Sequence, residues 1–192
     1  MRRLIIFYAI IALAIILDQV TKNIITTRMF IGESIPVIEN VFHITYFRNS
    51  GAAFGILQGQ TLVLTLVPIV LIVAIFVFLT MKAKENHLVL SLGLALICAG
   101  GIGNLIDRLR FGAVIDFFDF RVFPIFNVAD SCVVIGCGLL IIYTIFLDRT
   151  EKDSDDAEVE SANTADDADM DAETEAEMES EFESEFKSDG DK

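Results

Sequence analysis

Residues 62–81 read Leu62-Val63-Leu64-Thr65-Leu66-Val67-Pro68-Ile69-Val70-Leu71-Ile72-Val73-Ala74-Ile75-Phe76-Val77-Phe78-Leu79-Thr80-Met81, without a single charge. A helix of about 20 apolar residues crosses a hydrocarbon core roughly 30 Å thick and satisfies its own backbone hydrogen bonds while doing so. This stretch therefore predicts a membrane span. Three more apolar runs lie around it. Leu4 to about Leu17 is followed by an amphipathic continuation through Ile25, Leu88–Ile106 turns glycine-rich near its end, and about Asn127 to Leu147 is the last. The fold class predicted is an all-α membrane protein of four transmembrane helices, with a small extracytoplasmic β-sheet between the first and second spans.

Charge divides the chain in two. Residues 1–150 carry 11 Lys/Arg against 9 Asp/Glu, and residues 151–192 carry 3 against 19, so the acidic balance belongs to the tail. The expected organisation is a membrane-embedded domain over 1–150 and an acidic cytoplasmic tail over 151–192. The tail is a low-complexity mix of Asp, Glu, Ala and Ser, too poor in apolar surface to offset chain entropy, and is expected to be disordered. Arg2-Arg3 before an apolar stretch resembles the start of a signal peptide. Asp18 and Lys22 follow instead of a small-residue cleavage site, so a retained span is expected. Counting cations gives six on each side: Arg2, Arg3, Lys82, Lys84, Arg149 and Lys152 against Lys22, Arg28, Arg48, Arg108, Arg110 and Arg121. The positive-inside rule is thus undecided. The paired N-terminal arginines favour an inside N-terminus, which puts both termini in the cytoplasm. Residues 28–60 then lie outside. Their Val41-Phe42-His43-Ile44-Thr45-Tyr46-Phe47 is β-branched and aromatic, as strands are.

Polar residues in or beside membrane helices are costly and usually functional. Four blocks hold them here: Asp18-Gln19-Val20-Thr21-Lys22; Arg48-Asn49-Ser50-Gly51-Ala52-Ala53-Phe54; Gly100-Gly101-Ile102-Gly103-Asn104-Leu105-Ile106-Asp107-Arg108 leading to Gly112-Ala113-Val114-Ile115-Asp116-Phe117; and Phe126-Asn127-Val128-Ala129-Asp130. In the topology above all four fall toward the outer face. Asp18/Thr21/Lys22 and Asn104/Asp107/Arg108 stand at i, i+3, i+4, and Asn127/Asp130 at i, i+3, so each set shares a helix face. Gly100, Gly101 and Gly103 permit close approach of a neighbouring helix.

No Ser/His or Cys/His pair suits nucleophilic catalysis, and no glycine loop leads into a phosphate-binding lysine. His43 and His87 are isolated. Cys98, Cys132 and Cys137 sit in apolar runs without metal or disulfide spacing and read as buried free thiols. Neither a metal, a cofactor nor a nucleic-acid partner is expected. Several carboxylates remain. Two held close together lose their protons in separate steps, so one can activate water while the other, protonated, polarises a carbonyl. That is aspartyl-protease chemistry.

The ordered blocks resemble the lipoprotein signal peptidases, the type II signal peptidases of bacteria, over about residues 8–147. The resemblance implies that Asp116, in Gly-x-Val-x-Asp-Phe, and Asp130, in Phe-Asn-x-Ala-Asp, are the catalytic pair. It further implies that Asp18, Lys22, Asn49, Gly51, Asn104, Asp107, Arg108, Asn127 and Ala129 bind substrate or support the site. The family has four membrane helices, a β-cradle and a short extracytoplasmic helix. Its substrates are prolipoproteins with a diacylglyceryl-modified cysteine, cut just before that cysteine, and globomycin-type cyclic peptides block it. The implied setting is the bacterial cytoplasmic membrane, among its lipids, with the site toward the extracytoplasmic face. The segment from Asp116 to Asp130 is shorter than the family often has, and the acidic tail is outside the family pattern.

Plainer readings exist for several residues. Asp107-Arg108 could be a helix-end ion pair, Asp18–Lys22 a structural one, Asp119 a solvated loop carboxylate, and Asp130 a charge complementing a helix N-terminus. A small transporter or channel would spread polar residues through the depth of its spans, whereas Leu62–Met81 offers only Thr65, Pro68 and Thr80. A membrane scaffold would leave the Asp/Asn blocks without a purpose.

Overall fold

A computed structural model describes residues 2–51, 60–82 and 87–147. Two compact units divide the chain, Met1–Tyr143 and Thr144–Lys192. Ala52, Ala53 and Phe54 of the second polar block lie outside the described residues, as do the limit expected at residue 150 and the acidic tail.

The elements run α1 (Arg2–Arg28), β1 (Ser34–Ile38), β2 (Phe42–Asn49), α2 (Thr61–Lys82), α3 (Leu88–Phe111), β3 (Val114–Asp119) and α4 (Val128–Ile142), with a π-helical stretch over Tyr143–Leu147. Among the described residues, four helices are long and apolar enough to cross a membrane: Arg3–Arg28, Leu62–Met81, Leu88–Phe111 and Val128–Leu147. Their outward faces carry large apolar side chains, among them Leu13, Ile16 and Val20 on α1 and Leu66, Val67 and Val70 on α2. In water such a surface would drive association, whereas hydrocarbon solvates it.

Helix α3 is central and packs on α1, α2 and α4. Its buried stripe consists mostly of small residues: Ser91, Gly93, Ala95, Cys98, Ala99, Gly100 and Gly103. A Cβ at Gly93 would meet the Gly136 carbonyl at 2.9 Å, one at Gly136 the Gly93 carbonyl at 2.6 Å, and one at Gly100 would run into the Ala129 carbonyl. Close approach of α3 and α4 thus depends on glycine, as expected where van der Waals packing holds helices together in lipid. Ile11, Ile75, Leu79, Ala95, Cys98 and Ala99 form the apolar core among α1, α2 and α3. Helix α1 does not stop at its polar block, because Asp18 and Lys22 face inward and are 1% and 2% exposed. Of the cysteines, all free, only Cys98 is buried. Cys132 is half-buried and Cys137 exposed, contrary to the expectation for all three. An apolar run in a membrane helix does not say which side faces protein.

The expected small sheet is present and has three antiparallel strands in the order β1-β2-β3. Its third strand comes from between the third and fourth spans, an addition to the cradle predicted between the first and second. Gly112 (φ 71°) ends α3 in a left-handed turn, donating to the Arg108 carbonyl at 3.0 Å, and reverses the chain into β3. Asn49 is then opposite Val114, and Phe47 opposite Asp116. The sheet docks on the end of α1 through Ile25, Met29, Tyr46, Ile115 and Phe117. Asp119, expected as a solvated loop carboxylate, instead ends β3 and is 5% exposed. It accepts from Thr45 Oγ1 at 2.8 Å and from Arg121 at 3.0 Å, because strand pairing carries it over β2.

Candidate active site

The four polar blocks meet where β3 passes between the ends of α1, α3 and α4. Asp116 is 1% exposed. Its Oδ1 accepts from Asn127 Nδ2 at 2.7 Å and its Oδ2 from Asn49 Nδ2 at 3.1 Å. Burial, and after it the negative charge of Asp130, push the Asp116 carboxyl up to about 7, against the opposing hydrogen bonds of Asn49 and Asn127.

Asp130 is placed by the start of α4. Asn127 is the N-cap: its Oδ1 accepts from Asp130 N at 2.9 Å, while Asp130 Oδ2 accepts from Asn127 N at 3.1 Å, a capping box. Asp130 Oδ1 is left to accept from Asn104 Nδ2 at 2.7 Å. The dipole reading of Asp130 and its place in the polar cluster therefore hold together. Asn127 also serves both sides, since the same side chain that caps α4 donates to Asp116.

Below the pair lies a buried ion cluster. Lys22 Nζ contacts Asp18 Oδ2 at 2.9 Å, Asp107 Oδ2 at 2.8 Å and Asn104 Oδ1 at 3.0 Å. Asp18 Oδ1 accepts from Ala129 N at 2.9 Å, tying α1 to the first turn of α4. Asp107 Oδ2 accepts from Ile115 N at 3.1 Å, which fixes β3 one residue before Asp116. Asp107 thus pairs with Lys22 of another helix, not in a helix-end pair with Arg108. Arg108 instead donates to the Gly51 carbonyl at 3.3 Å, and Gly51 N donates to Asn49 Oδ1 at 3.0 Å, which orients the amide that reaches Asp116. Thr21 stays out of the cluster and returns its hydroxyl to the Leu17 and Asp18 carbonyls.

Every candidate residue named from the sequence is thus drawn into one network. Sequence reading passed over Gln19, whose Nε2 donates to Asp18, Asp107 and the Gly103 carbonyl at 3.1–3.2 Å. Its place beside Asp18 in the first block was the available signal. A cavity of about 670 Å³ opens onto the network. Asn49, Asn104, Arg108, Asp116, Asp130 and Ser131 line its polar end, and Val67, Leu71, Ile72, Ile97 and Val133 extend it between α2, α3 and α4. Among the described residues, no group of three or more His, Cys, Asp or Glu side chains is arranged to hold a metal.

Four membrane-length helices among the described residues, a small sheet, and a buried Asp116 and half-buried Asp130 on one largely apolar cavity define a polytopic membrane protein with the groups for hydrolytic chemistry. The family model described as Signal peptidase (SPase) II matches residues 10–146. A lipoprotein signal peptidase of Halothermothrix orenii is 46% identical over 136 residues, 71% of this chain and 92% of that protein. One from Shouchella clausii is 44% identical over 148 residues, 77% and 97% of the two chains. Two solved structures of a bacterial membrane enzyme, obtained in meso, superpose with TM-scores of 0.69 and 0.66. Both are 41% identical, and they cover 76% and 73% of this chain and 90% and 93% of theirs. The chain belongs to the signal peptidase II family, and is accordingly a multi-pass membrane protease.

Proposed function

We propose that this protein is an intramembrane aspartyl endopeptidase that removes signal peptides from diacylglyceryl-modified prolipoproteins, cutting just before the lipidated cysteine. The observation that carries this reading is the pair Asp116 and Asp130 facing one cavity and joined through Asn127. Both carboxyls accept through both oxygens, Asp130 from Asn104 and the Asn127 backbone and Asp116 from Asn127 and Asn49, so the roles are assigned by what sets Asp116 apart. Asp116, held up to about 7, suits the protonated partner. Asp130 takes a proton from water as the water oxygen bonds to the scissile carbonyl carbon, and Asp116 gives its proton to the carbonyl oxygen. Collapse of the tetrahedral adduct breaks the C–N bond. The proton on Asp130 goes to the departing cysteine nitrogen and a hydroxyl proton returns to Asp116. The signal peptide leaves with a new carboxyl end.

The cavity supports the substrate class. Its polar end carries the carboxylates, and its apolar extension between α2, α3 and α4 suits a signal helix and acyl chains, each buried CH₂ contributing about 0.8 kcal/mol. Asp18, Lys22, Asn104, Asp107 and Asn127 brace the pair, Ala129 ties it to α1, and Asn49, Gly51 and Arg108 form the side toward the sheet. Globomycin-type cyclic peptides fit the same cavity as inhibitors. In this reading the site faces the extracytoplasmic side, residues 1–150 form the peptidase domain, and both termini, with the acidic tail 151–192, are cytoplasmic.

The test is turnover of a diacylglyceryl-modified prolipoprotein by Asp116→Asn and Asp130→Asn enzymes that insert normally. Asn keeps the shape and cannot exchange the proton, so each substitution should lower kcat by at least about 1,000-fold. Near-normal turnover in either variant removes that residue from the pair.

A further inference from the structure

Lys22 is a buried ammonium that touches neither proposed catalytic carboxylate. Burying a cation costs several kcal/mol unless good partners compensate, and an apolar side chain would fill the space as well. Its surroundings show what it does there. An ammonium only donates, and Nζ is fully engaged by Asp18, Asp107 and Asn104 Oδ1 at 2.8–3.0 Å. Whatever atom of Asn104 faces it must accept. The other end of that amide, Nδ2, is then the atom 2.7 Å from Asp130 Oδ1. Asn104 Oδ1 also accepts from Asn127 Nδ2 at 3.1 Å, the same nitrogen that donates to Asp116 at 2.7 Å. Reversing the Asn104 amide would bring its NH₂ against both the ammonium and the Asn127 NH₂, and its oxygen against the Asp130 carboxylate.

We propose that Lys22 is a positioning residue for the reaction: its ammonium fixes the polarity of the Asn104 amide, and through Asn104 it sets the hydrogen bonds that present Asp130 and, via Asn127, Asp116. This rests on the aspartyl reading above. The charged and titratable groups around Lys22 are Asp18 on its own helix, Asp107 and Arg108 on α3, Asp116 on β3 and Asp130 on α4. Lys22 is the cation that reaches the pair from the α1 side, and its charge helps Asp116 lose its proton.

The experiment is a double-mutant cycle in full-length enzyme in detergent, assayed on a diacylglyceryl-modified prolipoprotein. Lys22→Met should lower kcat about 10- to 100-fold, the scale of a lost charge-assisted hydrogen bond, with KM within about 3-fold. The double variant with Asn104→Ala should be no slower than the slower single variant, because the two side chains act in series. The high-pH limb of kcat should also move to higher pH, since Asp116 keeps its proton longer without the cation. Lys22→Arg keeps a buried charged donor and should recover both kcat and the limb. Four results overturn the proposal: kcat of Lys22→Met within about 3-fold of wild type, losses that multiply in the double variant, an unmoved limb, or a Lys22→Arg enzyme of wild-type Tm that stays as slow as Lys22→Met. If Lys22→Met fails to insert, the Lys22→Arg comparison and Lys22→Gln, which keeps a donor without charge, decide it: Gln slow and Arg active supports the proposal, and any other order overturns it. Activity in the Asp116→Asn or Asp130→Asn enzyme refutes the carboxylate pair itself, and so separates that failure from a failure of Lys22.

Discussion

Gly100→Ala should disable the enzyme by a methyl group that touches neither aspartate. The Cβ it adds on α3 runs into the Ala129 carbonyl and lies 2.7 Å from Val133 Cγ2. Val133 can rotate. The carbonyl is helix backbone and cannot, and Ala129 is itself held by its N–H on Asp18. Relief therefore requires the first turn of α4 to move off α3 by roughly 1 Å, which carries Asp130 away from Asn104 and Asp116. Overpacking of this kind costs about 1–3 kcal/mol of stability, and a 1 Å misplacement of reacting groups costs about 100-fold in rate. The control is Gly138→Ala on α4, where nothing lies within 4 Å of the added Cβ. Replacing that helical glycine should leave the rate unchanged and raise stability by about 0.5–1 kcal/mol. The assay is kcat on a lipidated prolipoprotein, with Tm in the same detergent. A Gly100→Ala enzyme within about 3-fold of wild type would refute the argument that α3–α4 contact sets the carboxylate geometry.

Two further predictions concern pH and substrate. If Asp116 must carry the proton and Asp130 must lack one, kcat should fall tenfold per unit above about pH 7, because Asp116 is held up to about 7 and is protonated only below that, and should fall again in acid once Asp130 takes up a proton; a rate still rising through pH 8 assigns the proton elsewhere. The lipidated substrate should be cleaved far faster than its unlipidated cysteine counterpart in the same bilayer, since acyl chains in the cavity fix the scissile bond near the interface; equal rates mean the lipid is not read.

Much of the fold was legible because lipid imposes a simple rule. Leu62–Met81 has no charge, and the observed helix, Thr61–Lys82, extends it by one residue at each end. The polar blocks stood out because Asp and Asn are expensive in such a setting. Other features depended on contacts that sequence does not encode locally. Val114–Asp119 is six residues, buried on both faces save for Phe118, so it lacks the alternation that marks a half-buried strand. It becomes β3 only by pairing with β2, and that register brings Asn49 to Asp116. The first span was read as an apolar run to Leu17 with an amphipathic continuation through Ile25, and what the sequence lacked were the partners that bury Asp18 and Lys22: Ala129 N on α4, and Asn104 and Asp107 on α3. Gln19 had only its place beside Asp18 to mark it: a neutral amide carries no motif, and its three acceptors come from two helices.

Asparagine at 49, 104 and 127 suits the chemistry proposed for the pair. A lysine or arginine in any of these places would hold its carboxylate partner charged. An amide donates to a carboxyl oxygen and still leaves that carboxyl free to take or release a proton, which the proposed mechanism asks of both aspartates in each turnover. The cation is therefore one layer down, at Lys22, where Asp18 and Asp107 hold it and Asn104 relays its direction without its full charge. The same layer also joins α1, α3, β3 and α4. Asp18 holds Ala129 N, Asp107 holds Ile115 N, and Asn127 both begins α4 and orients Asp116. Losing one of these groups shifts an element and a carboxylate together, so effects on folding and on rate at these positions are expected to be coupled, whereas Asp116→Asn and Asp130→Asn remove the proton transfer and keep the shape of the side chain.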